Sequence, residues 1–169
     1  DVYKRQHIEH MPRLGRVLRE VARLSNWDSK REPNRYLGIA CHHCFDSYIA
    51  QVAEVAINDN SIQVTKVYCA IDCGLVIDPE GVTQQVESAT IFGLSAALYG
   101  EINWEDGQIK QSNFHDYPVL RMDECPEIET VIVSNQQSAP GGVGEVGTPC
   151  IAPALANAIF AATQQRLRS

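Results

Sequence analysis

Between Ala139 and Ala152 the chain reads Ala-Pro-Gly-Gly-Val-Gly-Glu-Val-Gly-Thr-Pro-Cys-Ile-Ala, and this stretch constrains the fold more than any other. Four glycines (Gly141, Gly142, Gly144, Gly147) fall within seven positions around one carboxylate, Glu145. Glycine lacks a Cβ, so it permits positive φ and lets the backbone approach a ligand closely. Thr148-Pro149, and again Pro153, supply helix-start chemistry, because proline is favoured at the first helical position. The expected structure is a tight loop aimed at a helix N-terminus, where free N–H groups and the dipole favour an anion. A carboxylate in such a loop points to chemistry rather than to anion gripping alone.

Spacing does not choose between a plain strand-to-helix turn and a site. Neither G-x-G-x-x-G nor G-x-x-x-x-G-K-[ST] is present, and no Lys or Arg lies between Arg121 and Arg166. Glu145 would serve as a base only if burial or a neighbouring anion raised its pKa.

The 169 residues suffice for one domain with a sizeable core, since domains run to roughly 100–200 residues. Fourteen Lys plus Arg against 21 Asp plus Glu gives a net charge of −7, which argues against a nucleic-acid surface. No apolar run approaches the ~18 residues of a membrane helix. Asp1 to Gln6 fit poorly with the helical stripe after them and read as a non-native leader, leaving residues 7–169 for fold reasoning. Of six cysteines, Cys41 and Cys44 flank His42-His43 at a metal-like spacing. Structural zinc needs four ligands, usually in two paired clusters, and the nearest second pair, Cys69 and Cys73, has x3 spacing. Free, buried thiols are therefore the default.

Ile8 to Leu24 places Ile8, Met11, Leu14, Val17, Leu18, Val21 and Leu24 on one helical stripe, with a solvated arginine face. Ser25 to Arg35 is a polar linker. Tyr36 to Ile57 favours strands, and Ser47–Ile57 pairs with Ser61–Ile71 as a hairpin about Asn58-Asp59-Asn60. Asp72-Cys73-Gly74 ends that pair. Asp78-Pro79 resembles an N-cap and N1 proline for a helix over Gly81–Tyr99. Its Val82, Val86, Ala89, Gly93, Ala96 and Ala97 are spaced for packing, and its small residues suit close approach to another element or to a ligand. Glu101 to Asn113 reads as a hairpin turning at Glu105-Asp106-Gly107-Gln108. Phe114 to Val119 forms a short segment ending near Pro118. Glu127 to Val133 suits a strand buried on both faces or near a sheet centre. Pro153 to Leu167 closes the chain as a helix with Leu155, Ala158, Ile159, Ala162 and Leu167 inward. The fold class is α+β, with mixed sheet hairpins and packed helices.

Three stretches carry a resemblance in matching order and spacing. They are Asp72-Cys-Gly-Leu-Val-Ile-Asp-Pro, Gln85-Val-Glu-Ser-Ala-Thr-Ile-Phe-Gly-Leu-Ser-Ala-Ala-Leu-Tyr-Gly, and Gly141-Gly-Val-Gly-Glu-Val-Gly-Thr-Pro. Together they resemble the C-terminal part of the molybdopterin-binding catalytic subunit of the xanthine dehydrogenase and aldehyde oxidase family. The branch they resemble is that of the isoquinoline 1-oxidoreductase beta subunit. The chain is then expected to be part of a larger molybdenum cofactor-binding domain.

The resemblance implies that Glu145 is the general base of a hydroxylation that draws its oxygen from water and attacks an N-heteroaromatic or aldehyde carbon. It implies cofactor contacts from Gly142, Val143 and Gly144, and from Ser88, Phe92 and Gly93 on the preceding helix. Many members carry Glu-Gly-Gln or Gln-Gly there, whereas this chain has Glu87-Ser88-Ala89 and Ile91-Phe92-Gly93. The implied cofactor is molybdenum-molybdopterin, with the cytosine dinucleotide form among the options. Implied partners are the upstream remainder of the catalytic subunit, a small subunit with two [2Fe-2S] clusters, a cytochrome electron acceptor and a small-molecule substrate. A periplasmic or membrane-associated setting fits the same branch. Alone, the chain is expected neither to hold the cofactor nor to turn over substrate. The competing readings are a non-catalytic phosphate or nucleotide module built on Gly141–Gly147, and a Cys–His metal module at Cys41–Cys44.

Overall fold

The computed structural model describes residues 8–58, 61–133 and 135–168. Both the leader expected at Asp1–Gln6 and the Asp59-Asn60 part of the expected turn lie outside them.

A first helix, α1 (Pro12–Leu24), buries Leu14, Val17 and Val21. The apolar stripe predicts a helix from Ile8: residues 8–10 are helical, Met11 (φ −126°, ψ 77°) breaks the run, and this helix begins at Pro12. A proline disfavours the helical region for the residue before it. Three antiparallel strands come next: β1 (Arg35–Cys44), β2 (Ser47–Asn58) and β3 (Ser61–Asp72). The β2–β3 pair is the expected hairpin. Asp78 caps α2 (Pro79–Tyr99), its Oδ1 accepting from the Gly81 N–H at 3.0 Å. Val82, Val86, Ala89 and Gly93 are buried on α2 as expected, whereas Ala96 and Ala97 are exposed and Thr90 and Leu94 take the remaining inward places.

A small exposed hairpin, β4 (Trp104–Glu105) with β5 (Gln108–Ile109), turns through Asp106 (φ 49°) and Gly107 (φ 78°). Its Asp-Gly pair meets the need for positive φ at both central residues of a type I′ turn. Next, β6 (Glu127–Ile132) joins β3 in parallel, giving the order β1-β2-β3-β6. It packs on both faces, with Ile128 and Ile132 on one side and Val131 on the other. Of the two expected placements, packing on both faces is met, whereas β6 lies at the edge rather than the centre of the sheet among the described residues. The central strands, with residues in the cores on both faces, are β2 and β3. Salt bridges from Lys66 Nζ to Glu127 (2.8 Å) and Glu129 (3.0 Å) accompany the parallel pairing.

The last helix, α3 (Thr148–Thr163), starts five residues before the expected Pro153. Pro149 occupies the helix-start position and Pro153 falls inside the helix. The helix stops when Gln164 turns left-handed (φ 62°), leaving Leu167 exposed rather than inward.

The result is three layers. One face of the sheet carries α1, with Leu14, Val17 and Val21 against Ala50, Val52 and Ala70. The other face carries α2 and α3, with Val86, Leu94, Ile151 and Leu155 against Ile49, Val67 and Ile71. Two glycines set the position of α3. A Cβ on Gly38 would stand 2.1 Å from Ala154 O and Ala158 N, so the helix backbone lies directly on β1. A Cβ on Gly93 would stand 2.5 Å from Ile151 Cγ2 and 2.7 Å from Thr148 O. The start of α3 is thus wedged between β1 and α2.

One buried ion pair joins the layers to the loops. The fully buried Asp72 side chain, at the end of β3, accepts from Arg13 Nη2 (2.6 Å) and Nε (3.0 Å). It also accepts from the Gly74 N–H (3.1 Å) and from Asn135 Nδ2 (3.3 Å). Burial alone would push the Asp72 carboxyl up, but the Arg13 hydrogen bonds, the Gly74 amide and Asn135 together hold it below its ordinary value.

Breaking this pair has a pH-dependent cost. Arg13→Met strands a buried carboxylate, which typically costs about 3–5 kcal/mol, so Tm at neutral pH falls by roughly 10 °C for a domain of this size. Because the folded-state pKa is depressed, the pair's stability is present above the usual Asp value of about 4 and is lost as pH falls through the lower folded value. The Tm gap between wild type and Arg13→Met therefore narrows in acid, as thermal unfolding across pH will show. Gly38→Val, by contrast, drives side-chain atoms into the α3 backbone. It lowers Tm at every pH and raises hydrogen exchange in α3, at a cost of at least the roughly 1–3 kcal/mol of ordinary overpacking.

Candidate functional site

The glycine loop is held by two turns. The Gly141 N–H donates to Cys73 O and the Gly142 N–H to Phe45 O, both at 2.8 Å, while the Leu75 N–H donates to Ser138 O at 3.0 Å. Gly74 has φ +75°, and a Cβ there would stand 2.1 Å from Ala139 O. That position therefore requires glycine twice over. None of the four loop glycines has positive φ. Gly141 and Gly142 serve close approach to Ser47 and Phe45, and Gly147 serves close approach to Ala89.

Gly144 differs. A Cβ there would meet nothing within 4 Å. The N–H groups of Val143, Gly144 and Glu145 donate to no other described residue. Packing within this chain thus explains every loop glycine but one, and that one sits beside Glu145.

Gly144 and Glu145 face a cavity of about 600 Å³ with three walls. The end of β1 and its turn contribute His42, Cys44 and Phe45, and α2 contributes Ser88, Ala89 and Phe92. The loop and the start of α3 contribute Gly144, Glu145, Thr148 and Pro149. The structure therefore brings Glu145, Gly144, Ser88 and Phe92 together. Gly142 packs on Phe45, Val143 leans into the core, and Gly93 is buried under α3. None of these three lines the cavity.

Sequence reasoning misses His42, Cys44 and Phe45 as cavity residues, because the chain offers His42 and Cys44 only within a metal-like spacing and gives Phe45 no signal. Strand alternation explains why that spacing does not converge. Cys44 packs toward the α2–α3 side, whereas Cys41 packs toward α1 and His43 stacks on Tyr48 at 4.1 Å. Among the described residues no group of three His, Cys, Asp or Glu is placed to hold a metal ion. None of the six cysteines forms a disulfide among the described residues. Burial and then the Glu145 carboxylate push the Cys44 thiol up, so this part of β1 lies within electrostatic reach of Glu145. Burial also raises Cys69, to about 11, and Cys150.

The donor set suits a large group with hydrogen-bond acceptors and flat apolar faces better than a lone metal ion. It offers unengaged amides at a bare glycine, one carboxylate, and apolar walls at Ala89, Phe92 and Pro149. Among the described lining residues there is no Lys or Arg to neutralise a phosphate.

Comparison with known proteins identifies the family of the chain. Residues 20–126 match the family described as molybdopterin cofactor-binding domain. The beta subunit of isoquinoline 1-oxidoreductase from Brevundimonas diminuta is 38% identical over 99% of this chain, and the match covers 22% of that protein. A subunit of nicotinate dehydrogenase from Pseudomonas putida is 33% identical over 72% of this chain and 10% of its own length. The aldehyde oxidoreductase of Desulfovibrio desulfuricans superposes with a TM-score of 0.62 at 25% identity, covering 72% of this chain and 14% of that one. The chain spans about a fifth or less of the length of these relatives. By its match across residues 20–126 and its likeness to these proteins, the chain belongs to the molybdopterin cofactor-binding domain family.

Proposed function

We propose that this chain is the C-terminal part of the catalytic subunit of a molybdenum hydroxylase, and that Glu145 is its general base. One observation carries the reading. The glycine that chain packing leaves unexplained, Gly144, lies beside Glu145, the one carboxylate among the described residues that line the cavity. When bound, the molybdenum-molybdopterin cofactor would supply the two-electron chemistry and the activation of water.

The chain's own residues do the rest. Gly144 leaves the backbone open to close approach and its N–H donates to the cofactor, whereas Val143, which does not line the cavity, packs its side chain into the core. Ser88 and Phe92 form the facing wall on α2, with Gly142 and Gly93 acting behind them by holding the loop and α3 in place. Glu145 takes the proton as the new carbon–oxygen bond forms, which asks of it the roughly 10²–10⁴-fold contribution typical of a positioned base. Thr148 is turned away from that task, since its Oγ1 bonds Ala89 O at 3.3 Å.

The substrate is an N-heteroaromatic or aldehyde carbon; isoquinoline and nicotinate stand in the names of two relatives. The cytosine dinucleotide form of the cofactor, a small subunit with two [2Fe-2S] clusters and a cytochrome acceptor belong to the same proposal. The alternative phosphate or nucleotide module lacks a cation at the cavity among the described residues.

Three measurements test the reading. In the full-length enzyme, Glu145→Gln retains molybdenum by metal analysis while kcat falls by about 10²–10⁴; unchanged kcat removes the base. Gly144→Val lowers molybdenum content while the Tm of the cofactor-free enzyme stays level, because its side chain meets only the cavity. The isolated 169-residue chain neither retains molybdenum nor turns over substrate, and robust hydroxylation by it would refute the assignment as an incomplete site.

A further inference from the structure

Phe45 is the most unexpected residue in the site. Cys44 pairs with Ser47, so Phe45-Asp46 is a two-residue turn between β1 and β2. Both residues are left-handed, with φ 53° and 59°. Such a type I′ turn normally uses Asn-Gly or Asp-Gly, since positive φ brings a side chain against its own backbone. A bulky aromatic at the first position is an outlier that the surroundings must impose.

Those surroundings are visible. The Phe45 carbonyl accepts from the Gly142 N–H at 2.8 Å, and Asp46 O accepts from Arg13 Nη1 at 3.3 Å. A Cβ on Gly142 would stand 2.9 Å from Phe45 Cβ, so the loop passes directly under the turn. The ring gains little burial in return, being 61% exposed. It lines the cavity that also holds Phe92, itself 71% exposed, and Glu145. Packing among the described residues of this chain therefore does not account for an aromatic ring held in a strained conformation and left bare at the mouth of a site, whereas a flat ligand in that cavity would. Apolar flat surface is provided by Phe45 and Phe92 from two walls, beside a carboxylate that handles protons.

We propose that Phe45 is a specificity-determining residue whose ring stacks on a planar nitrogen heterocycle in the Glu145 cavity. This rests on the cavity being the cofactor and substrate site argued above. Two sources supply that chemistry, the substrate ring and the pterin ring of the cofactor, and separate readouts distinguish them.

The test uses the full-length enzyme carrying Phe45→Gly, Phe45→Tyr or no change. Isoquinoline affinity is measured by equilibrium dialysis without electron acceptor, so that no turnover occurs, and molybdenum content and Tm are measured on the same samples. Glycine relieves the left-handed turn, so Tm stays level or rises. Loss of the stacking ring weakens isoquinoline binding about three- to tenfold if the substrate is its partner. If the pterin is its partner, molybdenum content falls instead. Phe45→Tyr keeps the ring and keeps both properties. Unchanged affinity and molybdenum in Phe45→Gly would overturn the proposal, as would equal losses in Phe45→Tyr, which keeps the ring. The Glu145→Gln result is independent of these readouts, so failure of the base and failure of the stacking ring are told apart.

Discussion

The ion pair between Arg13 and Asp72 is the interaction on which the rest of the architecture depends. A carboxylate with no solvent access is costly unless its oxygens are matched by donors. Here the donors come from α1, the Gly74 turn and Asn135, and the same guanidinium also reaches the β1–β2 turn at Asp46. Satisfying one buried charge thus fixes the relative positions of the α1 layer, the end of β3 and the segment leading into the glycine loop. Arg13 also lies 4.4 Å from the Tyr48 ring, which keeps its stem packed over the sheet. The cavity opens on the α2–α3 side, so it is shaped in part by a charge pair reached from the opposite face.

Backbone proximity completes the arrangement. At Gly38 and Gly93 side chains are absent where α3 must lie, and at Gly74 and Gly141 where the loop must cross two turns. Each contact removes a degree of freedom from the segment bearing Glu145. The hydrophobic core on the α2–α3 face then fills the remaining space with Val86, Val146, Ile151 and Leu155. Rigid placement of a short loop between three packed elements is the usual requirement for a site whose chemistry tolerates little positional error.

Much of this is legible in the residues, for local reasons. Strand-favouring residues on either side of Asn58-Asp59-Asn60 mark the central hairpin, Asp78-Pro79 marks the start of α2, and Asp106-Gly107 marks the small turn. Three features are not legible. Pro149 and Pro153 both satisfy the rule for a first helical residue, and only the packing of Thr148 against Gly93 selects the earlier start. The parallel pairing of β6 with β3 joins Lys66 to Glu127 across 61 positions, beyond what periodicity can register. Phe45-Asp46 lacks the residues that announce a type I′ turn, so the third wall of the cavity leaves no mark in the sequence. Glu145 stands out because glycines and a carboxylate leave a local signature, whereas the residues facing it converge only through the fold.

The burial of cysteine has a consequence for the chemistry of the whole domain. Thiolates, not thiols, react with oxidants and alkylating agents. Cys69, Cys73 and Cys150 are buried with their acidity suppressed, and Cys44 is suppressed beside the Glu145 carboxylate. These four free sulfurs are therefore poor targets for peroxide or disulfide exchange while the chain stays folded. Their redox inertness is a property of the tertiary structure, and opening the sheet would convert chemically quiet thiols into reactive ones.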